Sequence, residues 1–512
     1  MRVLLVDPPG KNKGFNTGLG FLSAVLKPEH DVMVLDLNNI QAGLCGDANP
    51  ELSLPELEAI TKEAIRRFRA DILGISIKTF TAEISRHLFR WAAEAQAGIV
   101  RVAGGPHLTL DGFRYVRDTG VEYGVQGEGE YVFPQLAAAL RDGRSTGGIK
   151  GLLSWEDGDL VQGLESDLIE QLDALPFPDY SSFSSVAGRG GRMEQYPILT
   201  SRGCPFKCSY CSMPTIMGRR WRHHSPERIV AELKRAREIY GARSFTVVDD
   251  NLTLDLRHVE AICDQILQAG LAMPWNSMNG IRADRLTAGT ATKMRASGCY
   301  HVWIGIEAAD RELFDTINKG EQIEDVKRGI RTLKQAGIGV GGFFIVGLPH
   351  ATREKDLRTI DFVREMGIDA WWFQFVPYPY TPANDWVQTD SSVRILRPAE
   401  GALQFGSGDI EPVFETTAYS KQERMRTYDE IHIRMGFFDR LFDPGKGQWG
   451  NLRRVFRKVA PHGPGAMATF GTFILAHNVK KAARGARKAM GLPPAHVPPP
   501  PEPPALRAER RP

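Results

Sequence analysis

Short apolar runs alternate with longer amphipathic stretches through the first 140 residues. Arg2–Val6, Val32–Asp36, Ile72–Ile77 and Ile99–Ala103 are compact, β-rich runs, with a weaker one near Val121–Val125. Between them Thr17–Leu26, Leu54–Arg69 and Ala82–Ala95 have helical potential or apolar residues at helical spacing. This alternation predicts βαβ units and a parallel sheet. Four predicted strands run directly into loop signals: Asp7-Pro8-Pro9-Gly10, Ser76–Thr81, Gly104-Gly105-Pro106-His107 and Gly127-Glu128-Gly129-Glu130. Ligands of open α/β sheets bind outside those carboxyl ends, so a crevice with small, backbone-exposing residues is expected there.

Residues 141–195 carry glycines, a hairpin signal around Leu153–Val161 and the turn segment Leu175–Asp179, the composition of a linker. From 196 the alternation restarts. Strands are predicted over Pro197–Ser201 and Ser244–Val248, and near Trp275–Met278, His301–Ile306, Gly339–Val346 and Ala370–Val376, with a helix over Pro226–Tyr240. Six such repeats ending by 385 suit a partial (β/α) barrel, since a closed eightfold one takes about 250 residues. A segment from 386 to 460 is expected to help close the barrel mouth through Trp386, Phe405, Tyr419, Tyr428, Phe437 and Phe438. A basic amphipathic helix over 461–495 and a Pro-rich tail over 496–512, expected to be disordered, complete the division.

The chain has 512 residues, enough for two or three domains at about 150 residues each. With 42% hydrophobic and 24% charged residues, it is neither wholly disordered nor collagen-like. No apolar run reaches the roughly 20 residues of a membrane-spanning helix. The N-terminal run Val3–Val6 is too short for a secretory signal, so a cytoplasmic location is expected. The net charge of +3 is asymmetric: residues 444–512 hold 13 Lys/Arg against 2 Asp/Glu, leaving the body acidic. That pattern argues against a nucleic-acid binder. The apolar stretch Gly465–His477, followed by Lys480, Lys481, Arg484, Arg487 and Lys488, suits either a helix docked on the barrel or one lying on an anionic membrane.

Three of the six cysteines, Cys204, Cys208 and Cys211, cluster in a loop after a predicted strand, at the spacing CxxxCxxC. Thiolates favour iron–sulfur clusters or zinc. Three on one loop can bind three corners of a 4Fe–4S cube and leave the fourth iron open to substrate. The alternative is a structural zinc site, which needs a fourth ligand such as His223 or His224.

The cysteine loop, with Tyr210 before its last cysteine, resembles the CxxxCxΦC motif of the radical S-adenosylmethionine superfamily. The resemblance implies a 4Fe–4S cluster on Cys204, Cys208 and Cys211. Its open iron would chelate S-adenosylmethionine, which one electron cleaves to a hydrogen-abstracting 5′-deoxyadenosyl radical. Further matches imply cofactor contacts from Tyr210, from Asp249 and Asp250 at a strand end, and from Arg282 after the third barrel strand. Glu307, in Gly305-Ile306-Glu307, and Gly347, in the fifth-strand motif, match similarly. After that motif the family usually continues Gly-Glu-Thr, where this chain has His350-Ala351-Thr352.

The first domain resembles the cobalamin-binding domain fused ahead of such barrels. That implies cobalamin contacts from Ser76, Thr79, Gly104, Gly105, Pro106, Gly127 and Glu128. A D-x-H-x-x-G loop is missing after the first strand, so no histidine is expected on cobalt, and His107 reads as a loop hydrogen-bonder. The implied fold is α/β: a Rossmann-like parallel sheet domain over 1–140, the 141–195 linker, a partial (β/α)6 barrel over 196–385 and a mainly helical C-terminal segment.

The implied function is methylation of an unactivated carbon of a small-molecule or lipid-like intermediate. Its partners would be that substrate and an electron donor such as flavodoxin or ferredoxin, with a peripheral membrane contact if the tail lies on lipid. The alternative enzyme is a radical cyclase or oxidase of a tetrapyrrole, lipid or natural product with the same cofactors. A third reading is a non-catalytic sensor of cobalamin or iron–sulfur status.

Overall fold

The computed structural model describes residues 1–10, 14–41, 52–399, 411–438 and 448–474. Five parallel strands open the chain: β1 (Arg2–Asp7), β2 (Asp31–Asp36), β3 (Ile72–Ser76), β4 (Val100–Gly104) and β5 (Tyr123–Val125). Two antiparallel ones follow, β6 (Leu152–Glu156) and β7 (Asp159–Gln162), and the sheet order is β2-β1-β3-β4-β5-β6-β7. The interior strand β1 is buried from Val3 to Asp7, as expected of a parallel strand covered by helices on both faces. Leu4, Val6, Leu73 and Ile75 enter one core, while Val3, Leu5 and Ile72 enter the other.

Residues 141–195 are not the spacer that their glycines suggest. Their hairpin completes the first sheet, and Phe183 bridges Val34 of β2. Tyr180, Phe183 and Val186 are fully buried in a core shared with Tyr196 and Ile198 of the following barrel. Apolar side chains at the end of the segment weld the two sheets together.

The second sheet has six parallel strands: β8 (Gln195–Ile198), β11 (Ser244–Val247), β12 (Trp275–Ile281), β13 (Cys299–Glu307), β14 (Gly339–Val346) and β15 (Asp369–Gln374). They follow chain order from β8 to β15, which form the two edges of this open barrel. Between β8 and β11, β9 (Ser201–Arg202) pairs antiparallel with β10 (Arg222–His223). The strand predicted over Pro197–Ser201 therefore breaks after Ile198. Helices start where the sequence offers caps: Ser225 accepts from the Arg228 N–H ahead of Pro226–Tyr240, and Thr352 accepts from Lys355 ahead of Arg353–Met366.

In the described part of 386–460, Trp386 packs against His350 and Arg424 donates to the Gly347 carbonyl at 3.3 Å, both just past the carboxyl end of β14. The helix Lys421–Met435 packs on Arg353–Met366, and Tyr428 donates to the Trp372 carbonyl at 3.3 Å. Residues 464–474 are helical, and Phe470 is buried with Phe438, Ile433, Val455 and Val459. The apolar half of the predicted tail helix thus docks on protein. Phe405, the basic run Lys480–Lys488 and the tail over 496–512 lie outside the described residues. No described helix is long and apolar enough to cross a membrane.

Candidate functional site

The cysteine loop runs from β9 to the short helix Met213–Met217. It starts at Gly203, whose φ of +88° and 2.3 Å approach of a would-be Cβ to the Arg220 carbonyl exclude any side chain. The Ser209 N–H donates to Ile317 and the Ser209 carbonyl accepts from Ala383, fixing the loop against the barrel's fourth and sixth repeats. Cys204, Cys208 and Cys211 are free thiols of intermediate exposure, and Asn251 lies 4.0 Å from the Cys204 sulfur. Burial raises all three, Cys208 to about 11 and Cys211 to about 12, with Cys204 adding to the rise at Cys208 and both Cys208 and Cys204 adding to it at Cys211. Thiols in this setting ionise when a metal takes their protons' place.

A cube takes one thiolate per iron, which three cysteines on one fixed loop can satisfy. A zinc site needs four ligands converging on one ion. Among the described residues no three His, Cys, Asp or Glu side chains converge in that way. The two histidines that could complete a zinc site are engaged elsewhere. His224 Nδ1 pairs with Asp173 at 3.1 Å, and the His223 ring packs at 4.3 Å from His258 and 4.8 Å from Trp221. The donor set therefore fits the cluster.

The other predicted barrel residues divide by whether their polar atoms are already used. Asp249 is fully buried and accepts from the Thr200 N–H at 2.6 Å, from Ser201 Oγ at 2.7 Å and from Thr200 Oγ1. Both its oxygens anchor the entry to the cysteine loop, which corrects its assignment as a direct cofactor ligand. Burial lifts it to about 6. Among the described residues, Asp250 accepts only from the Gly203 N–H, at 3.2 Å.

Arg282 is also spent. It pairs with Glu321 at 2.9 Å and Asp284 at 3.1 Å, donates to the Lys319 carbonyl at 2.7 Å, and lies 3.6 Å from the ring centroid of Phe206. Phe206 stands between Cys204 and Cys208, so Arg282 braces the loop instead of offering a guanidinium to the cofactor carboxylate. Glu307 ends β13 at φ +68°, a strained position for a glutamate. It accepts from the Tyr210 hydroxyl at 2.9 Å and faces Lys319 Nζ at 3.9 Å. Burial raises Glu307, with Lys319 opposing the rise. Gly347 donates to Asp356 at 3.0 Å, and a Cβ there would lie 2.8 Å from Arg424 Nη1.

At the carboxyl edge of the first sheet, Asn16 Nδ2 bridges Asp7 at 3.0 Å and Ser76 Oγ at 3.2 Å. Gly105 has φ +93°, and its would-be Cβ lies 2.7 Å from the Ile77 nitrogen, so this loop lies flat on its neighbour. Pro106 opens the helix Pro106–Thr119, and Thr79 is buried at the adjoining turn. His107 is not the loop hydrogen-bonder expected: it lies in that helix, its Nε2 has no hydrogen-bond partner among the described residues, its ring packs edge-on to Tyr115, and burial lowers it to about 4. The low, glycine-lined surface of Ser76, Gly104 and Gly105 suits the close approach of a corrin and its nucleotide tail.

Glu128 does not face that crevice. It accepts from Arg202 Nη1 at 2.8 Å, Arg222 Nη1 at 2.7 Å and the Ile169 N–H at 2.7 Å, while Glu130 takes Arg202 Nη2 at 2.7 Å. These four side chains form a buried clamp between the first sheet's last loop and the strands flanking the cysteine loop. Gly127 supports it, donating to Thr109 Oγ1 at 3.0 Å with φ +75°. Beside the clamp, the helix Pro106–Thr119 contacts Met213–Met217, directly after Cys211. Arg202, Arg222, Lys319 and Glu321 escaped sequence reasoning, because their partners lie far away along the chain or their types are common on surfaces.

Residues 198–363 match the Radical SAM superfamily and residues 11–137 match the B12 binding domain family. An uncharacterized methyltransferase of Pyrococcus horikoshii is 32% identical over 391 residues, covering 74% of this chain and 82% of its own. Cytidylyl-2-hydroxyethylphosphonate methyltransferase of Streptomyces wedmorensis is 27% identical over 373 residues, covering 65% and 68%. The radical S-adenosylmethionine methyltransferase TsrM of Kitasatospora setae, solved with cobalamin and a 4Fe–4S cluster, shares the fold. Its TM-score is 0.65 at 17% identity, over 94% of this chain and 99% of that one.

Proposed function

This chain belongs to the cobalamin-dependent radical S-adenosylmethionine enzymes, and we propose that it methylates an unactivated carbon of a small-molecule or lipid-like biosynthetic intermediate. The observation that carries this is the clamp of Glu128 and Glu130 with Arg202 and Arg222, which holds the edge of the first sheet beside the cysteine loop. Methyl transfer to a carbon radical needs the methyl donor and the hydrogen-abstracting group close to one substrate atom, and a rigid joint meets that need. When bound, the cluster with S-adenosylmethionine supplies one-electron hydrogen abstraction, and the corrin supplies a transferable methyl group.

The chain's own residues bind, orient and exclude water. Cys204, Cys208 and Cys211 would hold the cluster, with Phe206 and Arg282 keeping their loop in place. Tyr210, Glu307 and Asp250 would meet the polar atoms of S-adenosylmethionine, and Lys319 balances the buried Glu307. Ser76, Thr79, Gly104, Gly105 and Pro106 would cradle cobalamin, while Glu128 and Gly127 act on the joint. A flavodoxin- or ferredoxin-like donor would supply electrons. Turnover with methyl-deuterated S-adenosylmethionine tests the proposal: the product should gain one labelled methyl group. A product formed with 5′-deoxyadenosine release but no added mass would establish the cyclase or oxidase reading instead.

A further inference from the structure

Aromatic rings pave the inner face of the second sheet. Alternation along the strands sends Val302, Ile304, Phe344 and Trp372 outward, where all four are fully buried. The intervening residues face the barrel interior. There Trp303 on β13, Phe343 on β14, and Trp371 and Phe373 on β15 are half-buried and form a layer apart from the outer core. Trp303 and Phe343 lie nearly parallel, with centroids 4.8 Å apart and planes at 13°. Trp371 and Phe373 do likewise at 6.0 Å and 14°, and Phe343 joins the two pairs at 5.7 Å from Phe373.

The register sets Gly341 beside Trp303, where a Cβ would come within 2.5 Å of the indole. The ring therefore lies down along the backbone of β14 instead of standing up from the sheet. Around Trp303 and Phe343 the inward positions of these strands carry one acid, Asp369 level with Gly341, and it is engaged by His301 at 3.3 Å. A substrate part resting here receives dispersion and ring-face contacts. A charge placed here would lose its water without gaining a partner.

We propose that the barrel interior takes an uncharged, flat, fused-ring portion of the substrate, lying against Trp303 and Phe343. An open hydrocarbon chain of equal size has no flat face to offer and loses more rotational freedom on binding. This inference rests on the reading of the barrel as the methyl-transfer site and names the substrate class for it.

The test uses the full chain loaded with cluster and cobalamin. Calorimetric titration compares three uncharged alcohols of equal carbon number: naphthalenemethanol, its decahydro form and undecanol. At least one ring alcohol should bind about tenfold more tightly than undecanol. Which of them does so assigns an aromatic or a saturated ring system. Trp303→Leu and Phe343→Leu should each weaken that binding about tenfold with iron and cobalamin contents unchanged. Equal binding of all three alcohols, binding by none, or ring binding untouched by both substitutions would overturn the inference. The comparison on the unaltered chain decides it even where a variant does not fold. Release of 5′-deoxyadenosine from reduced, S-adenosylmethionine-loaded protein without substrate does not draw on Trp303 or Phe343. A chain that releases it yet binds the alcohols indiscriminately loses this inference and keeps the proposed function.

Discussion

Replacing Glu128 by alanine removes one carboxylate from three partners at once: Arg202 at 2.8 Å, Arg222 at 2.7 Å and the Ile169 N–H at 2.7 Å. The side chains of Glu128, Arg202 and Arg222 are between 2% and 4% exposed, so water cannot replace what is lost. Arg202 would keep Glu130, and among the described residues Arg222 would keep only the carbonyls of Ile169 and Met217. Deleting one partner of a buried ion pair costs about 3–5 kcal/mol, because the stranded charge stays desolvated. Two guanidiniums depend on Glu128, which favours the upper part of that range. At a few degrees per kcal/mol for a domain of this size, the melting transition should fall by roughly 10 °C. Scanning calorimetry on the full chain, alongside cobalamin quantification, measures this. Glu128→Gln should fall between, since its amide oxygen can still accept from Ile169. Melting within about 1 °C of the parent, together with lost cobalamin, would refute the clamp. It would return Glu128 to the role that the sequence suggests, a direct cofactor contact.

Gly105→Ala places a Cβ 2.7 Å from the Ile77 nitrogen at φ +93°. It should cost about 2 kcal/mol and lower bound cobalamin, read by denaturant midpoint and corrin absorbance. Arg282→Met leaves the buried Glu321 with Lys319 at 3.4 Å in place of two cations and removes the cation over Phe206. The variant should retain less iron per chain after gel filtration than the parent. Burial raises Glu232 from 4.5 to about 7 although Tyr196 donates to it at 3.1 Å. The native state holds that proton more tightly than the unfolded chain. Its contribution to stability is therefore complete below about pH 4.5 and is lost as the pH rises through about 7. The difference corresponds to about 3 kcal/mol. Glu232→Gln should lessen the fall in denaturant midpoint between about pH 5 and pH 8, to which the buried Asp356, also raised to about 7, contributes as well.

Periodicity in the sequence carried the two sheets well, because a run such as Val3–Val6 or Val340–Val346 has few other ways to bury both faces. The cysteine loop was legible for a different reason: three soft ligands on one short loop have few purposes. What escaped detection was whatever depends on distant partners. Glu128 looked like a ligand in a glycine loop, and only the fold brings Arg202 and Arg222 to it from 74 and 94 residues away. Asp249 looked like a free acid at a strand end until Thr200 and Ser201 were found to occupy both its oxygens. The segment before the barrel looked like a linker because its glycines are conspicuous. The burial of Tyr180 and Phe183 shows only once both sheets are in place.

The central claim is that Cys204, Cys208 and Cys211 hold a cluster with one open iron beside a separately bound corrin. Metal, acid-labile sulfide and cobalamin analysis of oxygen-free preparations of the parent and Cys208→Ala tests it most directly. The parent should carry about four irons and four sulfides per chain, and Cys208→Ala should lose the cluster while keeping its cobalamin. Zinc without sulfide in the parent, or an intact cluster in Cys208→Ala, would contradict the claim.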